Sequence, residues 1–332
     1  MFLAVGVLLV TALLLVPVRP LLGSAGAIDV PNERSSHTAP TVRGAGVVGA
    51  PALAGGVLFG SLGGKHSVAL ALSVLALTVL GFLDDIRSRS GGVSWKARLA
   101  VQTAIATWLC AHGLRLDVID CGTPPGIALG SAAWPLTVLW LVAMTNAFNF
   151  IDGLDGMAAL QAIAIGVGGW VLLGRAGPAE IFLLLAAVGF GFLPHNVPRA
   201  RLFLGDSGSL PLGFTIAAAC VAGKDRAGAS VFLPLSLLAA PIVIDTGTTL
   251  LSRVARGRNI AEAHRDHLYQ RVQAAGWSHM GVSGVYAVAT AVCFAAAASW
   301  PSRPGLTPLT WLALGVFCAV ARRGLARRAL AK

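Results

Sequence analysis

Five aspartates stand at the ends of long apolar runs: Asp84, Asp85, Asp152, Asp155 and Asp206. They lie in Gly81-Phe82-Leu83-Asp84-Asp85, in Asn146-Ala147-Phe148-Asn149-Phe150-Ile151-Asp152-Gly153-Leu154-Asp155-Gly156, and in Phe203-Leu204-Gly205-Asp206-Ser207-Gly208-Ser209. Asn149 and Asp152 are three apart, as are Asp152 and Asp155, so on a continuing helix they would share a face. Five carboxylates gathered at one level repel and call for a counter-ion, and hard oxygen ligands suit Mg²⁺ or Mn²⁺. Mg²⁺ takes one or two protein carboxylates and completes its shell with phosphate oxygens. Ordinary solvated loop charge is the plain alternative. Against it, the stretch 148–157 carries two Asp and no Lys or Arg.

A second constellation is His264-Arg265-Asp266-His267-Leu268-Tyr269-Gln270-Arg271. Its two histidines are three apart, but no third His or Cys stands nearby and the flanking arginines disfavour a dication, so zinc is set aside. Basic and imidazole side chains together suit a phosphate or diphosphate; contact with anionic lipid is the plain reading. Asp245 lies inside an apolar run. That position suggests function, with a structural hydrogen-bonding role standing equal to it. Two patterns mislead. Gly44-Ala45-Gly46-Val47-Val48-Gly49 fits GxGxxG but follows no predicted strand, and the ribose-binding acid is missing. Gly205-Asp206-Ser207-Gly208 looks like a protease turn in a chain that offers no β-barrel.

These residues need elements to hold them. Of the 332 residues, 56% are hydrophobic and only 12% charged, against about 25% charged in soluble domains. Glycine is abundant at 40. The composition excludes a soluble domain, a disordered chain and a disulfide scaffold. It fits an all-α polytopic membrane bundle of about 10–11 spans, over 2–18, 44–63, 66–83, 97–112, 128–148, 157–174, 179–194, 207–222, 231–251, 280–299 and 306–321. With the N-terminus outside and the C-terminus cytoplasmic, nineteen of the 25 Lys and Arg fall on the cytoplasmic side. The net charge of +11 is then a topology signal, not a nucleic-acid footprint. The first run lacks a basic n-region and reads as a span instead of a signal peptide. Five dispersed cysteines without a CxxC read as small apolar residues. Residues 1–332 read as one integral-membrane domain, with cytoplasmic loops at about 19–43, 84–96, 148–157, 195–206 and 252–279.

Together with Pro31-Asn32-Glu33-Arg34-Ser35-Ser36-His37 and Pro40-Thr41-Val42-Arg43-Gly44, these motifs resemble, in order over about residues 29–271, the polyprenyl-phosphate N-acetylhexosamine-1-phosphate transferases. The resemblance implies a bacterial inner-membrane enzyme with its site on the cytoplasmic face. It would move an N-acetylhexosamine-1-phosphate from a UDP-sugar to undecaprenyl phosphate, release UMP, and so start a cell-envelope glycan. It implies Asp206 as the Mg²⁺ ligand, with Mn²⁺ as a substitute. It puts Asp84 and Asp85 beside the lipid phosphate, and counts His264 with these three as the catalytic set. Asn149, Asp152, Asp155, Asn196 and Phe203 would serve the nucleotide, Asp155 near uracil. His264, Arg265 and His267 would hold diphosphate or sugar, and His37 and Arg43 would sit near the substrate. Val42 and Ala45 depart from the Pro and Gly of many relatives. The loop at 264–271 lacks three adjacent histidines, so it looks more like the O-antigen and capsule branch than the phospho-N-acetylmuramoyl-pentapeptide transferases. A homodimer is an open assembly, and nucleic acid is no partner. A multi-pass transporter would share the spans but place its site at the midplane. An intramembrane aspartyl protease would need a second buried Asp beside Asp245.

Overall fold

A computed structural model of the chain describes residues 1–31, 39–60, 64–88, 91–120, 126–174, 177–227, 231–259, 262 and 264–330. Predicted His37 lies outside the described residues. The helices are α1 (Phe2–Ser24), α2 (Gly46–Phe59), α3 (Gly64–Arg87), α4 (Trp95–Ala111), α5 (Ala133–Ile151), α6 (Met157–Leu173), α7 (Ala179–Asn196), α8 (Asp206–Ala227), α9 (Phe232–Leu237), α10 (Ala240–Val254), α11 (Leu268–Ala274), α12 (His279–Ala298) and α13 (Leu306–Leu330). The strands are β1 (Ile28–Asp29), β2 (Thr41–Arg43), β3 (Val118–Ile119), β4 (Ile127–Ala128) and β5 (Leu202–Phe203).

Each of the eleven predicted apolar runs overlaps a described helix. Five described helical stretches, in α1, α3, α5, α7 and α12, are long and apolar enough to cross a membrane, and α2 and α6 are shorter apolar helices. Leu13 and Val16 on α1, Val288 on α12 and Leu312 and Phe317 on α13 expose apolar side chains that water would reject and lipid accepts. The ninth predicted run is broken: α9 ends at Leu237 and α10 begins at Ala240. Pro241 sits in the first turn of α10, where its missing N–H has no intrahelical partner to lose. Cys110, Cys220, Cys293 and Cys318 are buried and unpaired, as small core residues should be.

Small strands do the precise joining. β2 pairs antiparallel with β1 and parallel with β5, with Arg43 opposite Phe203. This pairing, and the acceptance by the Phe203 carbonyl of the Gly44 and Ala45 N–H groups, carries the chain into α2 beside the start of α8. The GxGxxG glycines therefore do follow a strand, a three-residue one. Their use is packing: a Cβ on Gly46 would land on Ser207 and Gly208. Likewise a Cβ on Gly81 of α3 would land on the Asp206 carbonyl and the Ser207 nitrogen. That contact lets α3 and α8 cross at backbone distance.

Gly81→Val is therefore expected to destabilise the protein by about 1–3 kcal/mol. Thermal unfolding in detergent would show it. Gly55→Ala, where nothing lies within 4 Å of an added Cβ, should be neutral. Equal behaviour of the two variants would remove the close crossing as a constraint.

Candidate active site

The site forms where α3 and α5 end and α8 begins. Asp85 is wholly buried, and its two carboxylate oxygens accept the Asp206 N–H at 2.9 Å and the Ser207 N–H at 3.1 Å. It thereby satisfies the orphan donors at the start of α8 and places a negative charge at the positive end of that helix. Gly205 enters the turn at φ +73°, a conformation open to glycine. Arg43 Nη2 lies 2.8 Å from Asp85 and 3.2 Å from Asp206. Burial works against the Arg43 charge, but Asp85, Asp206, Asp29 and Asp84 outweigh it and hold its pKa above the ordinary value.

Asp206 is held from three sides. Its Oδ1 accepts from Arg43 and from Asn149 Nδ2 at 3.0 Å, and its Oδ2 accepts from Arg98 Nη1 at 2.6 Å. Asn149 Nδ2 also donates to Ser209 Oγ at 2.9 Å. Asp84 accepts the Val93 N–H at 2.7 Å and stands 3.6 Å from Arg98. Arg98 was absent from the sequence-predicted set. The signal was available: the short connection after α3 turns α4 back, so a cation in the first turn of α4 faces the acids ending α3.

α5 stops at Ile151, so the turn to Gly156, at φ +79°, unwinds the chain. Asp152 and Asp155 accordingly do not share a helix face. Asp152 points into a cavity of about 540 Å³ lined by Arg98, Asn149, His264, His267 and Tyr269, with Trp95, Leu99 and Leu250 on its apolar side. Among the described residues its carboxylate makes no hydrogen bond or ion pair. Burial, then repulsion from Asp206 and Asp85, against the attraction of Arg43, raises its pKa well above the usual carboxylate range. Asp155 lines a different cavity, of about 450 Å³, with Thr41, Arg199, Phe203, Ser278 and His279. His279 Nδ1 is 3.3 Å from its carboxylate, a partner 124 residues away that spacing could not suggest.

Asn196 does not face either cavity. Its oxygen accepts the Gly156 N–H at 2.6 Å and its nitrogen donates to the Leu202 carbonyl at 3.1 Å, tying α7 to the turn and to β5.

The 264–271 segment is carried to the acid cluster by Tyr269, whose hydroxyl donates to the Phe150 carbonyl at 2.8 Å. Asp245 fixes its other side. That buried carboxylate accepts the Leu268 and Tyr269 N–H groups at 2.7 and 3.3 Å and the Tyr286 hydroxyl at 2.6 Å, so the structural role is the one its geometry fills. His267 is buried, with ring centroids 5.1 Å from His264, 5.6 Å from Phe150 and 5.8 Å from Tyr269. Burial pushes its pKa down to about 4, with His264 and Arg322 adding to the effect against Asp245 and Asp266. His264 is lowered too, by burial and then by Arg253. Both rings are therefore neutral hydrogen-bonding groups at pH 7. Arg265 is half-buried and is not among the residues that line this cavity.

Asp84, Asp85, Asp152 and Asp206 set four carboxylates against the guanidiniums of Arg43 and Arg98. The counter-ion inferred from repulsion is thus partly the protein's own, with a formal deficit of two positive charges. Among the described residues no three His, Cys, Asp or Glu side chains are grouped as a metal cage. Asp152, with no hydrogen bond or ion pair among the described residues, stands near Asp206, and this pair of hard carboxylate oxygens fits a dication that draws its remaining ligands from phosphate.

The structure is a bundle of apolar helices with a pocket of acids and arginines where α3 and α5 end and α8 begins. Residues 67–224 match the family model of glycosyl transferase family 4. The chain is 32% identical over 290 residues to the "Probable undecaprenyl-phosphate N-acetylglucosaminyl 1-phosphate transferase" of Bacillus subtilis, covering 84% of this chain and 79% of the relative. It is 33% identical over 345 residues to the decaprenyl-phosphate N-acetylglucosaminephosphotransferase of Mycobacterium tuberculosis, covering 92% and 83%. It is 34% identical over 246 residues to a phospho-N-acetylmuramoyl-pentapeptide-transferase of Synechococcus, covering 70% and 71%. The chain belongs to this family of polyprenyl-phosphate hexosamine-1-phosphate transferases.

The two adjacent acids should separate on substitution. Asp85→Asn removes an acceptor from the α8 start and is expected to lower both the unfolding temperature and activity. Asp84→Asn is expected to cut activity at least tenfold with little change in unfolding temperature. Equal thermal loss in both would put them in the same structural role.

His267 also sets a pH dependence. Between pH 6.5 and about 4 the unfolded chain takes up a proton that folded His267 refuses, so stability falls as pH drops through that window, by about 3 kcal/mol in all. Unfolding temperatures across this range should be flatter for His267→Gln; an unchanged profile would assign the acid sensitivity to other groups.

Proposed function

We propose that the protein transfers an N-acetylhexosamine-1-phosphate from a UDP-sugar to a polyprenyl phosphate, releasing UMP. The observation that carries the reading is the unpaired Asp152 beside Asp206 and Arg98, in a cavity whose other flank is apolar. A lipid phosphate needs both halves: cations for the head, and Trp95, Leu99 and Leu250 for the first isoprene units. The cavity of Asp155, Phe203, Arg199 and His279 is aromatic and polar and suits the nucleotide.

A lipid phosphate oxygen attacks the phosphorus that bears the sugar. The bond from that phosphorus to the bridging oxygen breaks, and the oxygen leaves with UMP. Such a transfer depends on positioning and charge neutralisation more than on covalent protein chemistry. Arg98 and Arg43 orient the acids and offset their charge. Asn149 fixes the rotamer of Asp206, and Asp84 faces the incoming phosphate. The neutral His264 and His267 are suited to hydrogen-bond the sugar or diphosphate without adding charge. Asp206 and Asp152 would hold Mg²⁺, which would neutralise charge developing on the phosphates when bound.

N-acetylglucosamine is the first donor to test, since the Bacillus subtilis and Mycobacterium tuberculosis relatives bear its name. Transfer of phospho-N-acetylmuramoyl-pentapeptide is the second reading, favoured by the Synechococcus relative and opposed by the missing adjacent histidines. An O-antigen or capsule glycan is the destination the loop favours, reached in the bacterial inner membrane from the cytoplasmic side.

Purified protein in detergent with undecaprenyl phosphate, Mg²⁺ and a panel of UDP-N-acetylhexosamines should release UMP only when lipid and Mg²⁺ are both present. Asp206→Ala should abolish release while the protein remains folded. UMP release that is indifferent to the lipid would overturn the reaction proposed.

A further inference from the structure

We propose that a third, separate pocket of about 470 Å³ between α10 and α13 binds the phosphate headgroup of an anionic membrane phospholipid. Arg256, Arg271, Arg322 and Arg323 line it together with Thr248 and Ser252, and among the described residues no carboxylate does.

The surrounding charge is unbalanced. Arg253, Arg256, Arg258, Arg271, Arg322 and Arg323 gather around two acids, Asp245 and Asp266. Asp266 is taken by Arg253 at 2.6 Å and Arg271 at 3.0 Å. Asp245 is engaged by the start of α11 and by Tyr286, with Arg322 3.7 Å away. Among the described residues, the side chains of Arg256 and Arg323 meet no acid. Arg322 is buried, anchored by a 2.6 Å hydrogen bond to Thr249, so one guanidinium of the pocket is held in place before any ligand arrives.

The walls say what kind of anion fits. On α13, Val316, Val320 and Arg323 fall at i, i+4 and i+7, one stripe that runs from exposed apolar side chains to a cation. On α10, Leu251 shares a face with Thr248 and Ser252 and is 70% exposed. A free phosphate would leave these apolar stripes bare. A phospholipid covers both, with acyl chains against Leu251, Val316 and Val320 and its phosphodiester among the arginines. Basic pockets between membrane helices bind anionic lipid headgroups for this reason.

This pocket shares no lining residue with the cavity of Asp152 or that of Asp155, so its test needs no turnover and stands whether or not the proposed reaction does. The full protein, in nanodiscs of phosphatidylcholine, would be titrated with phosphatidylglycerol or cardiolipin and followed by native mass spectrometry and unfolding temperature. Anionic lipid is expected to remain bound and raise the unfolding temperature over phosphatidylcholine. Arg256→Gln with Arg323→Gln, two exposed residues outside the acid cluster, should weaken that binding about tenfold or more. Equal binding by the wild type and the double variant would overturn the proposal, as would no preference over phosphatidylcholine. Inorganic phosphate giving the full thermal shift at millimolar concentration would assign the pocket to a soluble anion and overturn the lipid.

Discussion

A carboxylate sealed from water has to be met by donors from every side, and Asp85 is met by the first two N–H groups of α8 and by Arg43. Those three contacts come from parts of the chain far apart in sequence. Once they are made, α3, α8 and the β2–β5 pair cannot slide relative to one another. Gly81 and Gly46 are there because nothing larger lets the backbones approach closely enough for the contacts to form. Asp206 then emerges at a fixed angle, within reach of Asn149 and Arg98. The geometry of the cluster thus hangs on one ion pair and the start of one helix.

The same cluster shows how a membrane protein handles concentrated charge. Two arginines answer part of the negative charge and leave the rest at Asp152, which has no partner among the described residues. A fully compensated cluster would be stable and inert. An uncompensated one would take up protons to shed its negative charge, as the raised pKa of Asp152 shows it has begun to do. The halfway state is poised for a cation or a phosphate-bearing ligand, and burial makes the poise strong because water cannot screen it.

Much of this was legible beforehand. The apolar runs located the helices because each element in lipid must satisfy its own backbone, which leaves a clear length signature. The acids at their ends stood out because charge is rare in such a chain. Arg98 was hidden by its type, since a cation beside a membrane helix is expected for topology alone. His279 was hidden by distance along the chain. The bonds of Asn196 were hidden because both polar atoms of its amide meet backbone groups, a pairing no motif displays. The break between α9 and α10 was invisible to hydropathy, because both halves are equally apolar. Asp245 could be flagged from its depth, but only the returning segment at 268–269 showed what it holds.

The turn from Asp152 to Gly156 separates two cavities that have no lining residue in common. Its consequence is one of traffic. A molecule resting on one side of the turn does not block entry to the other, and neither must leave for its counterpart to arrive. On the proposed reading, a greasy acceptor approaches sideways out of the bilayer, past Trp95 and Leu99. A water-soluble donor comes by its own door near Arg199 and His279. The two products then depart by the routes their own solubility dictates, one back into lipid and one into water, without crossing paths.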